Sequence, residues 1–363
     1  MNRFLYLFKR LLLAVPVFLF GITMSFLVLY KGPIDPVLSI LGRDATPEDV
    51  RQLRIALGII YPDGTPVPLW SQYFKVVTDL VTLDFGQSWI IQRGTPVSDL
   101  ILNRMPATLW LGFWSVVIAL AFGVPGGLYA GLRANTWRDY IASGGGIIWR
   151  AMPNFWLAVM LSGLLSAGGA LSFYKGLFIP TDVIGTPGAL SSMFGSIDIF
   201  AGIPLLEAIR VPVPNWENLA ISIKWILPAA LVLGSASMGN EIRIGRTAVL
   251  ESINSKYVET AKAKGVSGRR IITKHVGRNA LIPLLPVIMG EFYLLIGGSV
   301  LVEKVFSIRG LGNMFFRGVL GPDIPLVMGL VFLFIVVQVT VNITQDILYT
   351  FIDPRITLED TER

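Results

Sequence analysis

Cysteine is absent from the 363 residues, so the chain can build no disulfide, thiolate metal site or cysteine nucleophile. Histidine is almost absent: His275 stands alone, which argues against a histidine-based zinc centre. Charge is scarce as well. Asp, Glu, Lys and Arg make up 15% of the chain, against about 25% in an average soluble protein. A water-soluble surface for a chain of this length cannot be assembled from so few charged groups. The pattern G-x-x-x-x-G-K-[ST] does not occur, so there is no P-loop with which to hydrolyse ATP. No repeat of fixed period and no low-complexity tract interrupts the sequence.

What is present is apolar. Hydrophobic residues make up 53% of the chain and the mean hydropathy is +0.65, which makes lipid the expected solvent for much of it. Bilayer-spanning helices need about 20 mostly apolar residues. Six stretches qualify, at roughly 11–30, 108–132, 152–172, 223–240, 283–302 and 325–351. The expected fold is an all-α polytopic membrane protein. The first run is too long for the apolar part of a cleaved signal and no small-residue cleavage site follows Tyr30, so it reads as a retained first span. Tyr140 to Trp149, a weakly apolar approach to the third span, suits a helix at the interface.

The net charge of +6 is placed unevenly, and orientation follows from Lys and Arg near the spans. Arg3, Lys9 and Arg10 precede the first span, and Arg133 and Arg138 follow the second. Segment 241–282 carries Arg243, Arg246, Lys256, Lys262, Lys264, Arg269, Arg270, Lys274 and Arg278 against Glu241, Glu251 and Glu259. These ends are expected inside, with both termini cytoplasmic, in a cell (plasma or inner) membrane. The domain reading is then 1–30 as N-terminus and first span, 31–107 as an extracytoplasmic segment, 108–355 as the core, and 356–363 as a tail. The core carries an extracytoplasmic insertion at 173–222, so insertions follow the first and third helices. In the first insertion, Thr46-Pro47-Glu48-Asp49 has the makings of a helix start: Thr as cap, Pro at the first position, acids in the first turn.

The most informative stretch is YVETAKAKGVSGRRIITKHVGRNALIPLLP, Tyr257 to Pro286. Ile253, Tyr257, Val258 and Ala261 recur at helical spacing and give one apolar face. Gly265 is placed to end that helix, since a left-handed residue is cheap there only for glycine. Ser267 can start a second helix. The residues alone leave two readings open: a protruding pair of short helices with a docking role, or a solvated loop that only sets topology. A DNA-binding helix-turn-helix fits poorly, because membrane spans enclose the stretch on both sides, and no nucleic acid is expected as a partner.

Glu259-Thr260-Ala261 followed by Gly265 resembles the EAA–x3–G signature of ABC-importer permeases. The wider chain resembles the B-type subunit of the dipeptide/oligopeptide permease family. Leu83-Asp84-Phe85-Gly86-Gln87-Ser88, Arg104-Met105-Pro106-Ala107-Thr108-Leu109, Arg243-Ile244-Gly245-Arg246, Leu301-Val302-Glu303-Lys304-Val305-Phe306, Asp323-Ile324-Pro325 and Asp353-Pro354-Arg355 carry the likeness. Thr260 replaces the signature's alanine, Arg309 replaces a usual proline, and 173–222 is longer than the family norm. The resemblance implies a non-enzymatic subunit that forms a pathway for peptides or related small solutes. It implies a cytoplasmic coupling helix with Tyr257, Glu259, Thr260, Ala261 and Gly265 facing an ATPase. It also implies a second homologous permease, two ATP-binding-cassette subunits that hold the ATP, and an extracytoplasmic solute-binding protein. This chain itself then needs no cofactor.

Polar groups inside spans are costly and usually face a bundle or a cavity. Glu291, Asn342 and Asp346 are of this kind. They could line the pathway or bridge helices by hydrogen bonds. Gly297-Gly298-Ser299 suits close helix packing. Two other classes fit less well. An intramembrane protease would need a histidine near a serine inside the membrane, or paired aspartates with one in G-x-G-D, and neither occurs. A self-sufficient secondary transporter would favour inverted repeats.

Overall fold

The computed structural model describes residues 3–32, 35–42, 45–166, 168–175, 194–197, 211–291 and 300–352. In chain order the helices are α1 (Arg3–Lys31), α2 (Pro36–Leu41), α3 (Pro47–Ala56), α4 (Leu69–Val81), α5 (Val97–Ile118), α6 (Val124–Leu132), α7 (Trp137–Ala151), α8 (Asn154–Leu165) and α9 (Ser172–Lys175). Then come α10 (Trp216–Ile253), α11 (Lys256–Ala263), α12 (Gly268–Arg270), α13 (Gly277–Glu291), α14 (Val300–Val305), α15 (Leu311–Leu320) and α16 (Ile324–Ile352). Strands β1 (Phe194–Ile197) and β2 (Val211–Pro214) pair antiparallel in a two-stranded ribbon, with Phe194 opposite Pro214. Apart from this ribbon, every regular element among the described residues is helical, in line with the all-α expectation. The ribbon sits in the insertion after the third expected span, where Pro212 and Pro214 are tolerated because a two-stranded ribbon has only edge strands.

The described residues form two compact units, Met1–Arg104 with Leu311–Ile343 and Met105–Gly310 with Thr344–Arg363. In the first, Ile22 and Phe26 of α1, Leu80 of α4, and Ile324 and Met328 of α16 make a buried cluster bordered by Tyr73, Trp89 and Phe332. Phe18 meets Phe332 edge-on at 5.3 Å, and Thr23 Oγ1 lies 2.7 Å from the Tyr73 hydroxyl. Leu13, Val17, Phe20, Met24 and Val28 recur every three or four residues on the other face of α1 and are exposed, a surface suited to lipid. Helix α3 starts where the sequence places its start. Thr46 accepts from the Asp49 N–H at 3.2 Å and donates its hydroxyl to the Asp49 carboxylate, which also takes the Thr46 N–H at 3.1 Å. This reciprocal pair is a capping box. The hydrogen bonds from Thr46 hold the Asp49 carboxyl below the usual carboxylate range.

The second unit is organised around α10, 38 residues long. Ile226, Ala229, Ala230 and Leu233 of α10 pack with Leu111 and Ile118 of α5, Leu157 and Ala158 of α8, and Val302 of α14. Where α10 meets α6 the backbones nearly touch: a Cβ on Gly127 would lie 3.1 Å from the Gly245 Cα and 2.9 Å from the Glu241 carbonyl. Small residues at such contacts let helices approach in a setting where hydrophobicity cannot drive them together.

Among the described residues four helical stretches are long and apolar enough to cross a bilayer: Leu12–Lys31, Val97–Leu132, Asn218–Ile253 and Ile324–Leu348. A fifth is made if α7 and α8, bent by 95° at Met152-Pro153, act as one broken span. Alone, the 12 residues of α8 reach only about 18 Å, short of a hydrocarbon core of about 30 Å. The second and fourth expected spans are therefore parts of longer helices. The former begins at Val97 and passes a π-helical turn at Ala119–Gly123; the latter runs from Trp216 to Ile253. The third expected span ends early, at Leu165. The fifth, 283–302, starts within α13 and ends within α14, and its residues 292–299 lie outside the described ones, as do Gly297-Gly298-Ser299.

Candidate functional site

Helix α11 sits between α10 and a second helical run. That run starts at Gly268, passes a π-helical turn at Ile271–Val276 and continues into α13. Val258 and Ala261 of α11 are buried with Ala248 and Val249 of α10, Ile271, Val276 and Ala280. This apolar seat fixes which way the helix faces. Glu259, Thr260, Lys262 and Lys264 remain exposed, and Tyr257 is 41% exposed. Thr260 satisfies its hydroxyl within the helix by donating to the Lys256 carbonyl at 2.9 Å. Burial pushes the Tyr257 phenol up, but side-chain hydrogen bonds with Ser255, Ser252 and Asn279 outweigh it and leave the pKa below its ordinary value.

The helix ends as the glycine suggests. Gly265 has φ +73°, its N–H reaches the Lys262 carbonyl at 2.9 Å, and the Val266 N–H reaches the Ala261 carbonyl at 3.1 Å. This is a Schellman closure, completed by Val266 packing on the same apolar cluster. Ser267 begins the next helix, although its side chain makes no capping hydrogen bond. Around α11 stand Lys256, Arg269, Arg270, Lys274 and Arg278, all exposed. The result is a rigid, solvent-facing helix with a basic surround on an apolar pedestal. Of the five residues the resemblance assigns to an ATPase contact, Tyr257, Glu259 and Thr260 are presented outward and Gly265 shapes the exit. Ala261 faces the pedestal.

Other motif residues turn out to be fastenings. Arg246 grips Asp139 of α7 with a fork, Nε to Oδ1 at 2.6 Å and Nη2 to Oδ2 at 2.8 Å, and Asp139 is 1% exposed. Arg243 and Arg150 both donate to the Asn240 side-chain oxygen. In the other unit, the buried Asp323 carboxylate accepts the Ser88 hydroxyl at 2.5 Å and the Trp89, Ile90 and Ile91 N–H groups at 3.0 Å each. Two separated motifs, Asp84 to Ser88 and Asp323-Ile324-Pro325, are thus halves of one knot. Thr108 donates to buried Glu303 at 2.9 Å, and a Cβ on Gly310 would lie 2.6 Å from the Glu303 carboxylate.

The three polar residues expected inside spans have different settings. Glu291 is 8% exposed, with Ser237 as a polar neighbour. Asn342 is exposed and accepts from Gln338 at 3.0 Å. Asp346 is half-buried. Glu241 belongs to none of the sequence motifs and stands in the sequence only as a counter-charge to the basic segment. It is completely buried. The available signal was its place next to an apolar run, where helices outlast the hydrophobic stretch.

The chain matches two family descriptions in succession. Residues 1–112 match the N-terminal part of binding-protein-dependent transport system membrane components, and residues 123–358 match the inner membrane component itself. It is 33% identical to the oligopeptide transport system permease protein AppB of Bacillus subtilis (strain 168), over 97% of this chain and 98% of that protein. It is 30% identical to the dipeptide transport system permease protein DppB of Escherichia coli (strain K12), again over 97% of this chain and 98% of the relative. Matches of this length and identity settle membership. The chain belongs to the family of binding-protein-dependent transport system inner membrane components, as a non-catalytic permease subunit.

Proposed function

We propose that this permease subunit forms half of a peptide pathway in an ABC importer and that α11 is its coupling helix. The observation that carries the reading is the geometry of α11: an apolar face seated on its own chain, a glycine-fixed end, and Tyr257, Glu259 and Thr260 directed outward within a basic surround. A short helix so seated moves as a rigid body when a partner closes on it. Its missing P-loop puts ATP on separate subunits, and the names of the relatives favour di- or oligopeptides as cargo. The full reading has six spans, both termini in the cytoplasm, and a second homologous permease completing the pathway. A solute-binding protein docks on the outer side.

The test is reconstitution. Liposomes holding this chain with its partner permease and two ATPases take up labelled peptide only when ATP and the binding protein are both supplied. Uptake at full rate without ATP, or by this chain alone, would overturn the proposal.

A further inference from the structure

Two carboxylates in the second unit lack the partners that buried charge demands. Glu241 is 0% exposed, and neither of its oxygens has a hydrogen-bond partner. Glu291 is 8% exposed, and its Oε2 also has none. The two are neighbours. Ser237, a polar neighbour of Glu291, lies four residues before Glu241 and so one turn along the same face of α10. Gly123, at the end of the π-helical turn, leaves the room that the Glu241 carboxylate fills; a Cβ there would collide with it. π-helical turns recur at functional sites.

Among the described residues, the cations on the helices that carry the pair and on α7 are engaged elsewhere or are far along the helices. Arg246 holds Asp139, and Arg243 and Arg150 hold Asn240. Lys224 is 17 residues from Glu241 and Arg278 is 13 from Glu291, about 25 and 20 Å along their helices. The other charged or titratable groups on the described elements packed around α10 include Tyr129 of α6, Arg138 and Tyr140 of α7, Glu251 of α10 itself, Lys274 and His275 of the π-helical turn at Ile271–Val276, and Glu303 and Lys304 of α14. None of them bonds either carboxylate's free oxygens. A buried ionised carboxylate without a partner is expensive enough that it takes up a proton instead, and two side by side cannot both ionise. Two carboxylates are too few for a protein cage around a divalent cation, and the described residues hold no larger acidic cluster.

We propose that Glu241 and Glu291 form a buried proton-binding site that gives up its proton when α10 and α13 separate in the transport cycle. These are the two helices on either side of α11, so a push on α11 reaches both. That transmission rests on the coupling reading above; the proton site itself does not. In the packed state at least one carboxyl is neutral. When the helices part and water enters, the O–H bond breaks, the proton passes to water, and the carboxylate is left hydrated. Repacking takes the proton back.

The experiment is infrared difference spectroscopy on the complete transporter in lipid nanodiscs at neutral pH, resting and then trapped with ATP and vanadate. Glu241→Gln and Glu291→Gln serve as references. The resting complex should show a protonated-carboxyl band that the Gln variants lose in whole or in part and that falls on trapping. Both variants should accumulate to normal levels, because the neutral amide mimics the protonated acid. No such difference between wild type and variants overturns the site. So does failure of both Gln variants to accumulate, since the fold would then require the ionised form. A resting band that trapping leaves unchanged, with α11 still joined to the ATPase, overturns the proton cycle and leaves the coupling reading intact. A band that falls on trapping when α11 does not contact the ATPase supports the proton site and sinks only the coupling reading.

Discussion

Replacing Gly265 by Arg separates what α11 does for its own chain from what it does for a partner. In the folded subunit nothing lies within 4 Å of where a Cβ would project, so the side chain meets open space and the pedestal is undisturbed. The backbone is another matter. At φ +73° a residue with a Cβ costs about 1–2 kcal/mol, and α11 carries this cost whether or not it is docked. If α11 is the coupling helix, what affects docking is the added bulk at the surface an ATPase would cover. Overpacking of that kind costs about 1–3 kcal/mol, which is roughly five- to 150-fold in affinity at 1.4 kcal/mol per decade. Gly265→Asn is the companion variant, because Asn tolerates the left-handed conformation and adds less volume. The assay is ATPase binding to the purified permease pair in nanodiscs, alongside membrane abundance and peptide uptake. The Arg variant should reach normal abundance, bind ATPase at least five times more weakly and lose uptake, with Asn in between. Unchanged affinity and normal uptake for the Arg variant would refute the placement of Gly265 at an ATPase contact.

Two further outcomes follow from the fastenings. Asp323→Ala removes the acceptor of four hydrogen bonds, each buried donor left unpaired costing about 1–3 kcal/mol. Limited proteolysis should then cut within 84–96, and an uncut loop would contradict the knot. Arg246→Ala strands the buried Asp139 carboxylate at a cost of about 3–5 kcal/mol. Thermal melting should show that Asp139→Ala with Arg246→Ala loses less than the two single variants summed, and simple additivity would mean that the fork contributes nothing.

Much of α11 is legible in the sequence because its signals are local. The spacing of Val258 and Ala261, the glycine at 265 and the capping pair at Thr46 and Asp49 each act within one helical turn. Helix length is less legible. Hydropathy marks where a helix leaves lipid, not where it stops being a helix, so Glu241, Arg243 and Arg246 read as a boundary although α10 runs on to Ile253. The bend after α7 and the early end of α8 depend on Pro153 and on packing that no window of apolar residues reports. The knot at Asp323 is recognisable as two motifs but not as one object, since its halves lie 235 positions apart. Glu241 is hidden for a similar reason: its burial is made by Gly123, on a helix far earlier in the chain.

If the outward face of α11 seats in an ATPase, residue 260 lies at the contact. The chain has no cysteine, so Thr260→Cys gives a single reactive site on that face. The measurement is thiol cross-linking of this variant in inverted membrane vesicles carrying the whole transporter. A cross-link to an ATPase subunit and none to the binding protein is expected, with no labelling by an impermeant thiol reagent in intact cells. A residue 260 that is labelled from outside intact cells, and that forms no ATPase cross-link in vesicles, would contradict that seating.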